Sequence, residues 1–254
     1  ADNLGATCDP DIAAWLLREQ VPYLAEVCTR TVNDRKGGHL ARRLRDGRIV
    51  LRDNAMVAPG EEHFFADETR HATFHANNLW VDLDVVARML DERHGVLGLP
   101  IIVNRKTVDP TDKTSTKVIQ IECAMGTAIE AIDGSRAMHV PRSRFRPVKT
   151  TNELTLVRSD LFRFEADWRI AATSERPDPL IDLGPDFAFM PDFERRFAAG
   201  VPSLRECTSL RVRGDVTFGA DVTCRGDVVV EGPALVPDGA VLGGQAAYPS
   251  GSGG

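Results

Sequence analysis

A six-residue apolar repeat after residue 200 limits the fold of this chain more than any other feature. Four apolar residues recur every six positions, and each is followed four positions later by glycine or alanine. The apolar residues are Leu210, Val216, Val222 and Val228, and the small residues are Gly214, Ala220, Gly226 and Gly232. A parallel β-helix needs this pattern, because each flat side contributes one inward side chain and the corners are tight. Two antiparallel hairpins are the alternative, since glycine and aspartate are also common in turns.

Helix and strand patterns alternate before residue 200. Asp9 followed by Pro10 predicts a helix start, and the apolar run at 21–27 has the length of a strand. Further strands are predicted at 48–51, 72–74 and 99–103, and a helix through Leu83, Val86 and Leu90. The alternation predicts the α/β class.

The clearest helical pattern covers residues 119–132. Its apolar residues fall three and four positions apart, which would place them in one stripe on a helix. They are Ile121, Ala124, Met125, Ala128, Ile129 and Ile132. We expect this helix to pack its apolar stripe into the core.

A basic cluster directly precedes a capping-box sequence at 150–153, which predicts a helix start. The cluster consists of Arg142, Arg144, Arg146 and Lys149. Because the free N–H groups at a helix N-terminus attract anions, the arrangement suits a phosphate. In the alternative interpretation the arginines form ion pairs with acids on a solvated surface.

Two short segments could approach a ligand. Gly37 and Gly38 follow Lys36 and would allow a close approach of the backbone, although a glycine pair often marks only a turn. Asn77 and Asn78 follow a predicted strand, and their amides could hydrogen-bond sugar hydroxyls. A turn with asparagine in the left-handed region is the alternative for this second segment.

Composition excludes several classes of function. The 254 residues carry a net charge of −6, which argues against binding to nucleic acid or anionic membranes. No apolar run is long enough for a membrane span, and the N-terminus does not resemble a signal peptide. Five widely spaced cysteines without a CxxC pair indicate neither disulfides nor a zinc site. We therefore expect a soluble, cytoplasmic protein.

Six motifs, taken together, resemble those of one enzyme family. They are DNLGA at 2–6, KGG at 36–38, NNLW at 77–80, VIQIECAMGTAI at 118–129, VPRSRFRPVKTTNEL at 140–154 and GDVTFG at 214–219. In this order and spacing they resemble the eukaryotic-type UTP–glucose-1-phosphate uridylyltransferase (UDP-glucose pyrophosphorylase) family. The resemblance covers nearly all of residues 1–244.

The resemblance implies a domain organisation. Residues 1–200 would be the C-terminal part of a glycosyltransferase-A-like (Rossmann-like) nucleotidyltransferase domain. Residues 201–244 would be a left-handed parallel β-helix that mediates homo-oligomerisation, and 245–254 a flexible tail. The family's glycine-rich nucleotide loop precedes the DNLGA motif and is absent here, so we expect the chain to be a fragment without activity of its own.

The resemblance also implies roles for individual residues. Asp2 would hold Mg²⁺, the implied cofactor, against the nucleotide phosphates, and Lys149 would bind phosphate oxygens in the transition state. Asn77 would contact the glucose ring, with Asn78 beside it as a further substrate-binding residue. The Gly37–Gly38 pair would let the backbone approach the sugar.

The implied reaction transfers UMP from UTP to glucose 1-phosphate and forms UDP-glucose and pyrophosphate. His75 stands where the family usually has asparagine, and Met56 where it often has glutamine. A uridylyltransferase for N-acetylhexosamine 1-phosphate or galactose 1-phosphate is therefore an alternative. A hexapeptide acyltransferase and a purely structural oligomerisation module are further alternatives that the repeat leaves open.

Overall fold

The computed structural model describes residues 2–31, 34 and 37–247, and the chain forms two compact units. One unit comprises Ala6–Phe145, and the other comprises Ala1–Gly5 together with Arg146–Gly254. In the part of the chain that the structure describes, no helix is both long enough and apolar enough to cross a membrane. The predicted domain boundary at residue 200 stays a prediction.

The unit Ala6–Phe145 contains four helices and seven strands within its described residues. In chain order they are α1 (Pro10–Arg18), β1 (Tyr23–Thr29), β2 (His39–Arg42), β3 (Ile49–Arg52), α2 (Glu62–Phe65), β4 (Thr73–Val81), α3 (Leu83–Glu92), β5 (Ile101–Thr107), β6 (Lys117–Cys123), α4 (Ala128–Ala131) and β7 (Arg136–His139). Helix α1 begins as the sequence predicts, because the Asp9 carboxylate caps it by accepting from the amides of Asp11 and Ile12.

A three-stranded sheet forms the centre of this unit. Its order is β4-β1-β7, with β1 antiparallel to β4 and parallel to β7. Strand β1 is buried along six of its seven residues, and Tyr23, Leu24 and Ala25 are inaccessible to solvent. Helix α4 packs on one side of it through Ala128 and Ile129. The mixed α/β class is confirmed.

The predicted helix at 119–132 is wrong. Residues 117–123 form β6, which pairs with β5 in an antiparallel hairpin, and α4 spans only Ala128–Ala131. The β-branched residues of this stretch favour a strand, and a polar turn sequence at 108–116 closes the hairpin. The apolar stripe predicted for one helix therefore combines residues of β6 with residues of the short helix α4. Ile121, a member of that stripe, is exposed rather than packed into the core.

The second unit contains two helices and eight strands within its described residues. They are α5 (Thr151–Arg158), β8 (Phe162–Phe164), β9 (Ile170–Ala172), β10 (Leu180–Asp182), α6 (Met190–Arg196), β11 (Ser203–Arg213), β12 (Val216–Phe218), β13 (Thr223–Glu231), β14 (Ala234–Val236) and β15 (Val241–Ala247). Strands β10, β11, β13 and β15 form a parallel sheet in that order, and β12 pairs with β14, also parallel.

The apolar repeat forms the core of these parallel strands. Leu210 pairs with Val228 and Val216 pairs with Ala234, so partners in the sheet lie 18 residues, or three repeats, apart. All four repeat residues are buried, and Gly214 occupies a corner at φ 84°. Because the pairing is parallel, the alternative of antiparallel hairpins is wrong for this segment.

Strand β15 continues through Ala247, so the first three residues of the predicted tail belong to a strand. The remainder of that tail, 248–254, lies outside the described residues.

Candidate active site

Asp2 and Lys149 meet although 146 residues separate them in the sequence. The amide of Val148 donates to the carbonyl of Asp2 at 2.7 Å, and the amide of Leu4 donates to the carbonyl of Arg146 at 2.9 Å. These bonds place Lys149 Nζ 3.8 Å from Asp2 Oδ2. Both side chains remain accessible, with exposed fractions of 66% for Lys149 and 47% for Asp2. The structure therefore presents an ammonium and a carboxylate side by side to solvent.

Asn3 fixes this junction, a role that sequence reasoning missed although the residue lies in the DNLGA motif. Its side-chain oxygen accepts from the amide of Arg146 at 2.7 Å and from the amide of Gly5 at 3.0 Å. Its backbone forms a β-bridge with Pro147. Because one amide side chain ties both segments, Asn3 holds the backbone on either side of the Asp2–Lys149 pair.

Helix α5 begins directly after Lys149, as predicted. Thr150 caps it, accepting from the amide of Asn152 at 3.2 Å, while the amide of Thr150 donates to Glu153 Oε2 at 2.7 Å. This reciprocal capping box fixes the helix start and hence the position of Lys149 next to it.

The three arginines of the basic cluster are paired with acids. Arg142 binds Asp34 at 2.7 Å, and Arg146 binds Asp178. Arg144 binds Glu26 at 2.6 Å. The hypothesis that all four cations face a phosphate is therefore wrong for the arginines, and the alternative of ion pairing is confirmed for them. Lys149 differs from them, since its contact with Asp2 is longer and exposed.

Asn77, the predicted sugar contact, lies in an irregular stretch of β4. Val27 of β1 pairs with His75 and Ala25 pairs with Leu79, so β4 contains two extra residues over this interval. Asn77 adopts φ 56° there and is exposed. The left-handed asparagine expected in the alternative interpretation is present, but it lies within a strand rather than in a turn.

Asn78, next to it, points its amide into the protein. Its Nδ2 donates to Glu26 Oε2 at 3.0 Å and to the carbonyl of Arg144 at 3.3 Å. These contacts give the Asn78 side chain a structural role in the unit. Asn77 is therefore the more accessible of the two candidate sugar contacts.

The glycine pair packs against the same strand. A Cβ on Gly37 would lie 1.8 Å from the Phe74 ring, and the carbonyl of Gly38 accepts from the amide of His75 at 2.9 Å. Only glycine fits at position 37, because β4 comes so close. Lys36 lies outside the described residues.

The two positions that depart from the family pattern differ in exposure. His75 is buried, and burial lowers its pKa to about 4. Met56 ends a 3₁₀ turn at Asn54–Met56 and is exposed. His75 lies beside Gly126, where a Cβ would come within 3.0 Å of its ring.

Glu26 is a second residue that sequence reasoning missed. It lies in the middle of β1 with 0% exposure, and its carboxylate accepts from Arg144, Asn78 and Trp80. Burial alone would raise the pKa of Glu26, but these hydrogen bonds outweigh burial and lower it. The signal was an acidic residue inside the apolar run at 21–27, where an unpaired charge would be costly.

A metal could be held by Asp2 alone. Within the described ranges, no three His, Cys, Asp or Glu side chains cluster as a metal site requires. Mg²⁺ commonly takes one or two protein carboxylates and completes its shell with water and substrate phosphates. A single accessible carboxylate such as that of Asp2 fits that requirement.

Comparisons with known proteins agree on one family. The family model described as UTP–glucose-1-phosphate uridylyltransferase matches residues 1–225. The enzyme of that name from Hordeum vulgare is 39% identical over 95% of this chain and 50% of its own length, and the Saccharomyces cerevisiae enzyme is 37% identical over 87% and 44%. The chain thus spans about half the length of the curated relatives it matches.

Solved structures agree as well. The structure of UDP-glucose phosphorylase from Trypanosoma brucei matches with a TM-score of 0.91 and 44% identity, over 98% of this chain and 55% of that one. A mutant UDP-glucose pyrophosphorylase from Leishmania major in complex with UDP-glucose matches with a TM-score of 0.87 and 38% identity, over 97% and 55%.

Proposed function

Because the chain belongs to the UTP–glucose-1-phosphate uridylyltransferase family, we propose that the protein containing it transfers UMP from UTP to glucose 1-phosphate. A phosphate oxygen of the sugar attacks the α-phosphorus of UTP, and the bond from that phosphorus to the pyrophosphate oxygen breaks. UDP-glucose forms and pyrophosphate leaves, without a covalent intermediate on the protein.

One observation carries the proposal: the backbone brings the Asp2 carboxylate and the Lys149 ammonium to one accessible place. Transfer between phosphates depends on positioning and on neutralising charge over the phosphate oxygens. In our proposal Lys149 supplies a fixed positive charge to the oxygens of the α-phosphate. The α5 capping box and the Asn3 bonds hold the backbone on both sides of Lys149.

Asp2 is the residue that we propose to hold Mg²⁺. When bound, the ion would neutralise phosphate charge and act as a Lewis acid. The carboxylate of Asp2 provides an oxygen ligand on a segment fixed by backbone hydrogen bonds.

The sugar would be bound by residues on and beside β4. We propose that Asn77 hydrogen-bonds the glucose hydroxyls, since its side chain is exposed at the bulge. We propose that Asn78, the neighbouring amide, is a further substrate-binding residue. The backbone of Gly37 and Gly38, which packs closely beside β4, would approach the sugar.

We further propose that the parallel strands of residues 201–244 form a left-handed β-helix through which the protein forms homo-oligomers. The 18-residue offset between partners supports this architecture, because three six-residue sides make one coil. A cytoplasmic location is part of the same proposal, and all five cysteines are free thiols.

A panel of sugar 1-phosphates tests the function. We expect the intact gene product that contains this chain to release pyrophosphate from UTP in the presence of Mg²⁺, with glucose 1-phosphate as the best acceptor. Galactose 1-phosphate and N-acetylglucosamine 1-phosphate are tested as alternative acceptors in separate reactions. The products are identified by mass spectrometry. A higher rate with one of these alternative acceptors would contradict the assignment of glucose 1-phosphate as the substrate. The absence of product with every acceptor would contradict nucleotidyl transfer.

A further inference from the structure

Glu26 is the β1 residue that lies opposite the irregular stretch of β4. Its neighbours Ala25 and Val27 pair with Leu79 and His75, so the interval occupied by Glu26 on β1 is matched by residues 76–78 on β4. Such bulges bend a strand and redirect its side chains. The conformation of this bulge therefore decides where the side chain of Asn77 points.

The Glu26 carboxylate ties this bulge to the rest of the unit. Asn78 Nδ2 donates to Glu26 Oε2 at 3.0 Å, and Trp80 Nε1 donates to Oε1 at 2.8 Å. One residue within the bulge and one just beyond it are therefore bound to the same buried carboxylate. These two bonds hold the β4 backbone on the C-terminal side of Asn77.

Arg144 completes the network from a third segment. Its guanidinium binds both Glu26 oxygens, at 2.6 and 2.9 Å, and also donates to Thr7 Oγ1 at 2.8 Å. Its carbonyl accepts from Asn78 at 3.3 Å. A buried acid with three charged or polar donors is rigid, because loss of any one of these bonds leaves a buried group unsatisfied.

We infer that Glu26 is a positioning residue that fixes the β4 bulge and thereby aims Asn77 at the sugar. The inference rests on the proposed function for the role of Asn77, but the effect of Glu26 on the bulge does not. The bulge places Asn77 at φ 56°, in the left-handed region that asparagine tolerates better than most residues, and the contacts around the bulge hold the strand in this irregular conformation. Glu26 supplies the central contact.

The test compares two Glu→Gln variants in the intact gene product. Glu26→Gln removes the charge opposite the bulge. Glu130→Gln is the matched control, since Glu130 lies in the same unit, is partly buried and pairs with an arginine, Arg43, at 3.1 Å. We expect Glu26→Gln to raise KM for the sugar 1-phosphate on the order of tenfold, because misplacement of a binding group is costly. KM for UTP should change less than about twofold in both variants, because the contacts that the structure describes for the Glu26 carboxylate are with Asn78, Trp80 and Arg144 and not with Asp2 or Lys149.

Amide hydrogen exchange gives a readout that does not need turnover. In Glu26→Gln, the peptide covering 73–81 should exchange faster than in wild type, and in Glu130→Gln it should not. Trp80→Phe removes a single donor and should give the same effects at smaller size, so the inference remains testable if Glu26→Gln does not fold.

Two results would overturn the inference. One is unchanged exchange at 73–81 in both Glu26→Gln and Trp80→Phe. The other is an equal change in both KM values, of the size seen in Glu130→Gln, which would mean a general structural role. If the wild type turns over no sugar 1-phosphate, the proposed function fails, and the exchange measurement alone still decides whether Glu26 holds the bulge.

Discussion

The surroundings of the buried His75 side chain determine its protonation state. Its backbone amide donates to the carbonyl of Gly38, and its buried ring lies beside Gly126. Burial lowers the pKa of His75 to about 4, with weaker opposition from the Asp53 carboxylate. The imidazole is therefore neutral at physiological pH.

This depressed pKa predicts a loss of stability in acid. Below pH 6.5 the unfolded chain protonates His75 while the folded chain does not, so the free energy of unfolding falls as the pH drops toward 4. We expect this residue to account for about 2 to 3 kcal/mol of that loss by pH 4.5.

Thermal or urea unfolding at several pH values measures the effect. In His75→Asn, stability should decline less between pH 6.5 and 4.5 than in wild type, because the titrating group is gone. His94→Asn, at an exposed position, should follow the wild-type curve. Identical pH dependence in wild type and His75→Asn would show that this residue does not link stability to pH.

Among the helices and strands, the features that depend on short sequence patterns were predicted correctly. The Asp9 cap of α1, the capping box of α5 and the parallel repeat are each specified within a few residues, and the structure contains all three. The predicted helix at 119–132 is wrong because β6 pairs with β5, a partner that the local spacing of apolar residues does not reveal.

The candidate site could be predicted only in part for the same reason. Motifs identified Asp2, Lys149 and Asn77 one by one, but their surroundings depend on long-range contacts. The ion pairs of the three arginines and the burial of Glu26 bring together residues more than 30 positions apart. No local pattern in the sequence specifies such partners.

At the scale of the whole molecule, the parallel strands of 201–244 have a buried interior and an outer surface. Alternate residues of β14 show this division: Ala234 and Val236 are buried, whereas Leu235 is 53% exposed. Val241, at the start of β15, is also exposed. Apolar side chains on the outside of these coils agree with the proposal that the segment joins copies of the protein.

Leu235→Glu should therefore weaken self-association without unfolding the coils, because its side chain lies outside the core. We expect a lower molar mass than wild type in light scattering coupled to size-exclusion chromatography. Leu44→Glu is the matched control, since Leu44 is fully exposed in the other unit. A monomeric wild type, or the same mass for Leu235→Glu and wild type, would contradict association through this face.

We propose that the Asp2–Lys149 pair carries the transfer of UMP. The most direct measurement is kcat for pyrophosphate release from UTP and glucose 1-phosphate, in the intact gene product, for wild type and two lysine variants. Lys149→Ala should lower kcat by about 10²- to 10³-fold, since it removes a preorganised charge from the phosphates. Lys117→Ala, at an exposed position in β6, should stay within about twofold of wild type, because solvent and salt screen the charge of an exposed lysine that has no proposed role in the site. Near-normal turnover in Lys149→Ala would show that the Lys149 charge does not take part in the transfer.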